Sequence, residues 1–124
     1  METLPSMSRE MPKRGEIWSL NLDPTIGAEI RKTRPVLVVS SDAAGRLPIK
    51  LIAPITEWDD RFSHSYWHVK IESTKANGLS KSSTVDTLQL RGVDLQRFIR
   101  KMGIAHSNIL EEVAAAIAAV VEYQ

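Results

Sequence analysis

GAEIRKTRPVLVVSSD, residues 27–42, begins as a glycine-led polar loop carrying Glu29, Arg31, Lys32 and Arg34, passes through Arg34-Pro35, and becomes the unbroken apolar run Val36 to Val39. A proline excludes the residue before it from the helical region, so Arg34 is extended and stands at the mouth of a strand. The bulky, β-branched run behind it reads as a central strand. A loop that delivers a fixed cation to the edge of a rigid sheet suits a bound anion.

Upstream, GEIWSLNL (15–22) sets Trp18, Leu20 and Leu22 on one face and Ser19 and Asn21 on the other, which is strand periodicity ended by Asp23-Pro24. Downstream, a polar turn with Asp42 and Gly45 leads to a strand over 49–56. Its Pro54 cannot donate to a ladder, which predicts an edge position or a bulge just before Thr56. YWHVKIE (66–72) alternates Trp67, Val69 and Ile71 with His68, Lys70 and Glu72, a half-buried antiparallel strand. Asn77-Gly78 marks a turn, STVDTLQLR (83–91) is one further strand, a helical turn fits 94–97, and a short strand fits 98–105. One helix is expected over 108–122, capped by Ser107, with Glu111 and Glu112 in its first turns and Ile109, Val113, Ile117, Val120 and Val121 as its apolar stripe. Alanines 114–116, 118 and 119 give it a second smooth flank, explained either by helix propensity or by close approach of a neighbour such as a second subunit.

Five or six short strands followed by one terminal helix define an α+β, mainly β fold, a small antiparallel barrel or curled sheet closed by that helix. With 124 residues there is room for one domain. Residues 1–12 read as a flexible leader, with Met7 and Met11 as alternative starts, and 13–124 as the single domain.

Composition excludes several function classes. A 43% hydrophobic, 25% charged chain is an ordinary globular one, so disorder is confined to the ends. The chain has no cysteine, which excludes disulfides, thiolate metal ligands and a cysteine nucleophile and suits the cytoplasm. No apolar run approaches the ~18 residues of a membrane span, and the N-terminus lacks a signal-peptide centre. Residues 107–124 hold Glu111, Glu112 and Glu122 without Lys or Arg, so the basic excess lies on the body, where a polyanion could use it. His64 and His68 are four apart, but the alternation over 66–72 makes this strand and loop, so no metal site is expected. His68 is expected to face solvent beside Lys70 and Glu72, and His106 to precede the helix.

In order and spacing, Arg14-Gly15-Glu16, Leu22-Asp23-Pro24, Gly27, Glu29, Arg34-Pro35, Pro54-Ile55-Thr56, Ser83, Gln89-Leu90-Arg91, Asp94, Arg97 and the terminal helix resemble the MazF/PemK toxins of bacterial toxin-antitoxin systems, over residues 13–123. The resemblance implies an SH3-like barrel of the MazF/PemK/CcdB kind and a cytoplasmic homodimer with single-stranded RNA in a groove at the subunit interface. It also implies a MazE-like antitoxin whose disordered tail covers that groove. The implied activity is that of an mRNA interferase, an endoribonuclease that cuts single-stranded mRNA at short sequences without metal or cofactor and so inhibits translation and growth. Carried over by position, Arg34 and Thr56 are the catalytic arginine and threonine, and Glu29 stands where many members have an important glutamate. The leader and the loop from Trp58 to Trp67 depart from the pattern.

Metal-free cleavage by 2′-hydroxyl attack leaves 2′,3′-cyclic phosphate and 5′-hydroxyl ends and requires stabilised charge at phosphorus. Arg34 offers paired donors that fit two phosphate oxygens, and Thr56 a hydroxyl donor. Glu29 is the nearest carboxylate in sequence able to take the 2′-proton or to orient Arg34. Singly, Arg34 reads as a surface ion-pair partner worth ~0–1 kcal/mol, Thr56 as a strand-end residue of high β propensity, and Glu29 as solvated loop. Only their joint pattern carries the functional reading. Arg31 and Lys32 are candidate phosphate contacts, Ser40, Ser41 and Gln89 candidate base contacts, Trp58 a stacking platform, and His64 a loop residue within reach of RNA. The alternatives are a noncatalytic toxin of similar fold that binds a protein such as DNA gyrase, and an RNA-binding module without turnover.

Overall fold

The run behind Arg34 forms the middle of a sheet buried on both sides. In a computed structural model of the chain, which describes residues 11–44 and 47–123, seven strands are followed by one helix. They are β1 (Glu16–Asn21), β2 (Thr33–Val38), β3 (Ile49–Glu57), β4 (His68–Ile71), β5 (Ser83–Asp86), β6 (Arg91–Asp94) and β7 (Phe98–Ile104), then α1 (Ser107–Val120). Every pairing is antiparallel, in the order β4-β5-β3-β2-β1-β7, with β6 also on β3. The described strands make a curled sheet rather than a ring, because its ends β4 and β7 do not pair with each other. Of the expected leader, residues 1–10 lie outside the described residues, and Pro12 is buried.

Alternation along β2 feeds two cores. Val36 and Val38 join Trp18, Leu20, Leu22, Ile52, Val93 and Phe98 on one face, with the Trp18 and Phe98 rings edge-to-face at 5.6 Å. Leu37 joins Ile17, Ile55, Val69, Ile71, Val85 and, from the helix, Val113 and Ala116 on the other. Each fully buried Val, Leu or Ile contributes about 1.5–3 kcal/mol of transfer free energy. Two cores from one sheet require it to curl.

Three expectations are corrected. The strand expected over 83–91 is two, because the Asp86 carboxylate accepts from the Leu88 N–H at 3.1 Å and caps a 3-10 turn, Thr87–Gln89, that breaks it. Strand β3 is central, not an edge. Its ladder with β6 ends at Ile52↔Arg91 and its ladder with β5 starts at Ile55↔Val85, so Pro54, which has no N–H, stands where β3 changes partners. The helix is capped by His106, whose Nδ1 accepts from the Asn108 N–H at 3.1 Å, and not by Ser107. Its neighbour on the alanine flank is in part its own sheet, since Ala116 is buried there.

The 74–79 loop is joined to β7 by the Ile104 N–H, which donates to the Ala76 carbonyl at 2.9 Å, and is folded by Asn77. This buried side chain accepts from the Thr74 and Leu79 N–H groups, each at 3.0 Å, and donates to the Glu72 carbonyl at 2.8 Å. The approach is so close that a Cβ on Gly78, at φ +73°, would run into the Met102 carbonyl, and one on Gly103 into the Ala76 carbonyl. Gly103→Ala should therefore destabilise the protein by about 1–3 kcal/mol or more. Gly27→Ala, at φ +58° in open space, should cost only the left-handed backbone, about 1 kcal/mol. Equal urea midpoints for the two variants would contradict this packing.

At the same end of β7, across the ladder on β1, Glu16 is buried beside Trp18 and Lys101. Its Oε1 accepts from the Lys13 N–H and the Trp18 indole, both at 2.9 Å, and its Oε2 lies 3.0 Å from the Lys101 ammonium. Burial pushes this carboxyl up, but the bonds from Trp18, Lys13 and Lys101 outweigh it, so the group titrates below its ordinary value of 4.5. A depressed carboxyl stabilises the fold above its unfolded pKa, and that contribution is lost as pH falls through the folded value. Glu16→Gln should be less stable than the parent by about 1–3 kcal/mol at neutral pH. Denaturation at a series of pH values should show the gap closing on acidification below pH ~4.5; a gap independent of pH would assign the loss to packing alone.

Candidate active site

The β2–β3 register builds the site. The ladder Val38↔Ile52, Leu37↔Ala53, Val36↔Pro54, continued by two residues, sets Arg34 opposite Thr56. Arg34 and Thr56 thus form a row across the two strands, two residues beyond Val36 and Pro54. Arg34 and Thr56 line one depression of about 380 Å³ with Pro35, Ile55, Glu57, Leu79, Ser80, Lys81, Ser83, Arg100 and Met102. Its floor is the end of the helix-side core, and its rim carries the three cations Arg34, Lys81 and Arg100 against one carboxylate, Glu57. Lys81 is paired with Glu57 at 3.1 Å, which leaves two cationic groups in excess.

Arg34 is exposed, and its Nε donates to the Arg31 carbonyl at 3.3 Å, so loop and arginine hold each other. Lys32 takes a left-handed conformation, φ 71°, sparsely populated for a residue with a Cβ, and its carbonyl accepts from the Leu22 N–H at 2.9 Å. This bend leads the chain into β2, and Arg31 and Arg34 are both exposed.

Glu29 lies in a second depression of about 210 Å³, with Ile30, Pro54, Leu88, Gln89, Leu90 and Arg91, and its Oε1 accepts from the Ile26 N–H at 2.8 Å. Pro54 is two residues from Thr56 along β3, and the two depressions have no lining residue in common. Gln89 is occupied by the protein: its Oε1 accepts from the Ile30 N–H at 2.7 Å and its Nε2 donates to Asp86 at 3.1 Å, tying the loop to the sheet.

The other candidate side chains stand apart from the depression at Arg34. Ser40 and Ser41 are at the opposite end of β2, where their hydroxyls accept from the Leu51 and Ala43 N–H groups at 3.1 and 3.0 Å. Trp58 donates its indole N–H to Asp60 at 3.0 Å, meets Phe62 edge-on, and lies under the Lys70 ammonium at 4.9 Å. His64 is exposed at the end of the 3-10 turn Asp60–His64. His68, expected in solvent, is instead stacked on Phe62 at 4.0 Å with Nε2 3.6 Å from Asp86, because that turn folds back over β4. Sequence reasoning did not single out Lys81, Glu57 or Arg100. Their only signal was position: Glu57 follows Thr56, and Arg100 is two residues from Met102 on β7. Among the described residues no group of three His, Cys, Asp or Glu is placed to hold a metal ion, and no helix is long and apolar enough to cross a membrane.

Known proteins share this arrangement of elements. Residues 13–121 match the model of a family described as the PemK-like, MazF-like toxin of type II toxin-antitoxin systems. The chain is 30% identical over 106 residues to endoribonuclease EndoA of Bacillus subtilis, covering 85% of this chain and 90% of that one. It is 34% identical over 91 residues to endoribonuclease PemK of Escherichia coli, covering 68% of each. The solved structure of MazF from Deinococcus radiodurans superimposes with a TM-score of 0.78 at 22% identity, over 92% of this chain and 99% of that one, which establishes the fold. With seven antiparallel strands, one terminal helix and a family match running nearly end to end, this chain belongs to the PemK-like, MazF-like toxins of type II toxin-antitoxin systems.

Proposed function

We propose that this toxin is a sequence-specific, metal-independent endoribonuclease that cuts single-stranded mRNA and so arrests translation. The observation that carries the reading is that Arg34 and Thr56, from neighbouring strands, line one cation-rich depression. Endoribonuclease is also the activity named for EndoA and PemK.

In this reading the RNA bends so that a 2′-hydroxyl attacks its adjacent phosphorus while the 5′-oxygen of the next nucleotide leaves. The new P–O bond gives a 2′,3′-cyclic phosphate, and the departing oxygen takes a proton from solvent to become a 5′-hydroxyl. Negative charge grows on the nonbridging oxygens. Arg34 meets two of them with parallel N–H donors and Thr56 adds a hydroxyl donor from the facing strand, so the charge is met by groups already in place. Glu29, held by Ile26 through one oxygen, presents the other to receive the 2′-proton. Arg31 and Lys32 approach the flanking phosphates from the loop.

The toxin works as a homodimer and is silenced by a MazE-like antitoxin whose acidic, extended segment occupies the same cationic depression. A MazE–MazF complex from Deinococcus radiodurans has the same toxin fold, with a TM-score of 0.73 to this chain.

Incubating the purified protein with long single-stranded RNA in EDTA should give discrete fragments with 2′,3′-cyclic phosphate and 5′-hydroxyl ends. Arg34→Ala should retain its circular dichroism spectrum and lose about two or more orders of magnitude in rate, as expected for a key transition-state donor. A folded Arg34→Ala that cuts as fast as the parent would end the assignment. Absence of cutting across many sequences would favour a noncatalytic toxin directed at a protein. Glu29→Gln should lower kcat by about 10²-fold or more with little change in KM; full activity would restrict Glu29 to holding the loop.

A further inference from the structure

Resting on the ribonuclease reading, we propose that Arg100 is a second phosphate-binding residue, which grips the RNA backbone at a phosphate next to the scissile one. Arg100 lines the same depression as Arg34 and Thr56, yet it comes from β7, on the far side of β1. Ser19 of β1 pairs with Pro35 on one side and with Arg100 on the other. Two strand spacings, about 10 Å, therefore separate the backbones that carry the two guanidinium groups. One guanidinium already suffices for two oxygens of one phosphate, so a second one rooted that far away serves a different phosphate.

Three observations single out Arg100 among the cations of the depression. Lys81 is already matched by Glu57 at 3.1 Å. Arg34 is held by the Arg31 carbonyl. The Arg100 side chain forms no ion pair and no hydrogen bond among the described residues, and it is exposed. A structural arginine at a strand position would be expected to find a carboxylate or a carbonyl. The local backbone is also irregular there: the β1–β7 register slips between Ser19↔Arg100 and Leu20↔Phe98, leaving Ile99 as an extra residue immediately before Arg100. Such bulges re-aim the following side chain.

The test uses a short RNA containing one cleavage site, with the phosphates on either side of the scissile one replaced singly by an uncharged methylphosphonate. At one of these two linkages the parent should lose about tenfold or more in kcat/KM, carried mainly by KM, as for an interaction made equally in ground and transition states. Arg100→Ala should show the same loss on unmodified RNA and no further loss at that linkage, and Arg100→Lys should recover part of it. Anisotropy of the same RNA over a salt series should show the slope of log affinity against log salt falling by about 0.7 in Arg100→Ala, the value for one phosphate contact on a single strand. Unchanged KM and salt slope in a folded Arg100→Ala would overturn the proposal, as would equal sensitivity of parent and variant to both methylphosphonates. Failure of the parent to cut the unmodified RNA would count against the ribonuclease reading instead, and the salt slope would still decide whether Arg100 holds a phosphate.

Discussion

The antiparallel register between β2 and β3 is the constraint on which the site depends. It is set by Val36, Leu37 and Val38 facing Pro54, Ala53 and Ile52, all buried. A slip of one residue would move Val36 and Val38 out of their core and Leu37 out of the other. Because that change would exchange two buried faces at once, the register is held by the whole apolar content of the sheet. Arg34 and Thr56 inherit their placement from it without packing of their own, which lets both side chains remain open to a ligand.

The elements around this row complete a depression that is apolar below and cationic at its rim. The loop from Ile26 to Thr33 is tied down at Glu29, at Gln89 and through the Lys32 carbonyl, so Arg34 emerges from a braced segment. On the other side the Ile104 N–H and the close contacts at Gly78 and Gly103 hold the 74–79 loop on β7, which brings Leu79, Ser80 and Lys81 against the end of the core. In the proposed function, opposed cations near an apolar floor would hold a phosphate in partly excluded solvent, where charge interactions are stronger than in bulk water.

Much of this was legible in the sequence, and the parts that were not have physical reasons. Strands β1, β2 and β4 announced themselves by alternation or by an unbroken apolar run, and the helix by its stripe. The break after Asp86 was hidden because Thr87, Leu88 and Gln89 suit a strand as well as a turn, and the decisive feature was one side-chain cap. Pro54 was visible as an anomaly, but the change of partner from β6 to β5 that makes room for it depends on two distant segments. The strand positions of Arg34 and Thr56 were legible, because each stands within two residues of a proline at one end of an apolar run. Ser40, Ser41, Gln89 and Trp58 show the converse, since a polar side chain does not reveal in sequence whether its partner will be a ligand or a neighbouring group of the protein. That Arg100 lines the depression was hidden for a related reason, because a charged side chain without a partner is a property of the folded chain.

The central claim, that Arg34 and Thr56 act as one phosphate-holding unit, is tested most directly by a double-mutant cycle on the cleavage rate under single-turnover conditions. Groups that serve one transition state together are strongly non-additive. The account predicts that Arg34→Ala with Thr56→Ala is hardly slower than Arg34→Ala alone. Losses that multiply, with each substitution exerting its full effect in the presence of the other, would show two independent contributions and contradict a single site at the β2–β3 register.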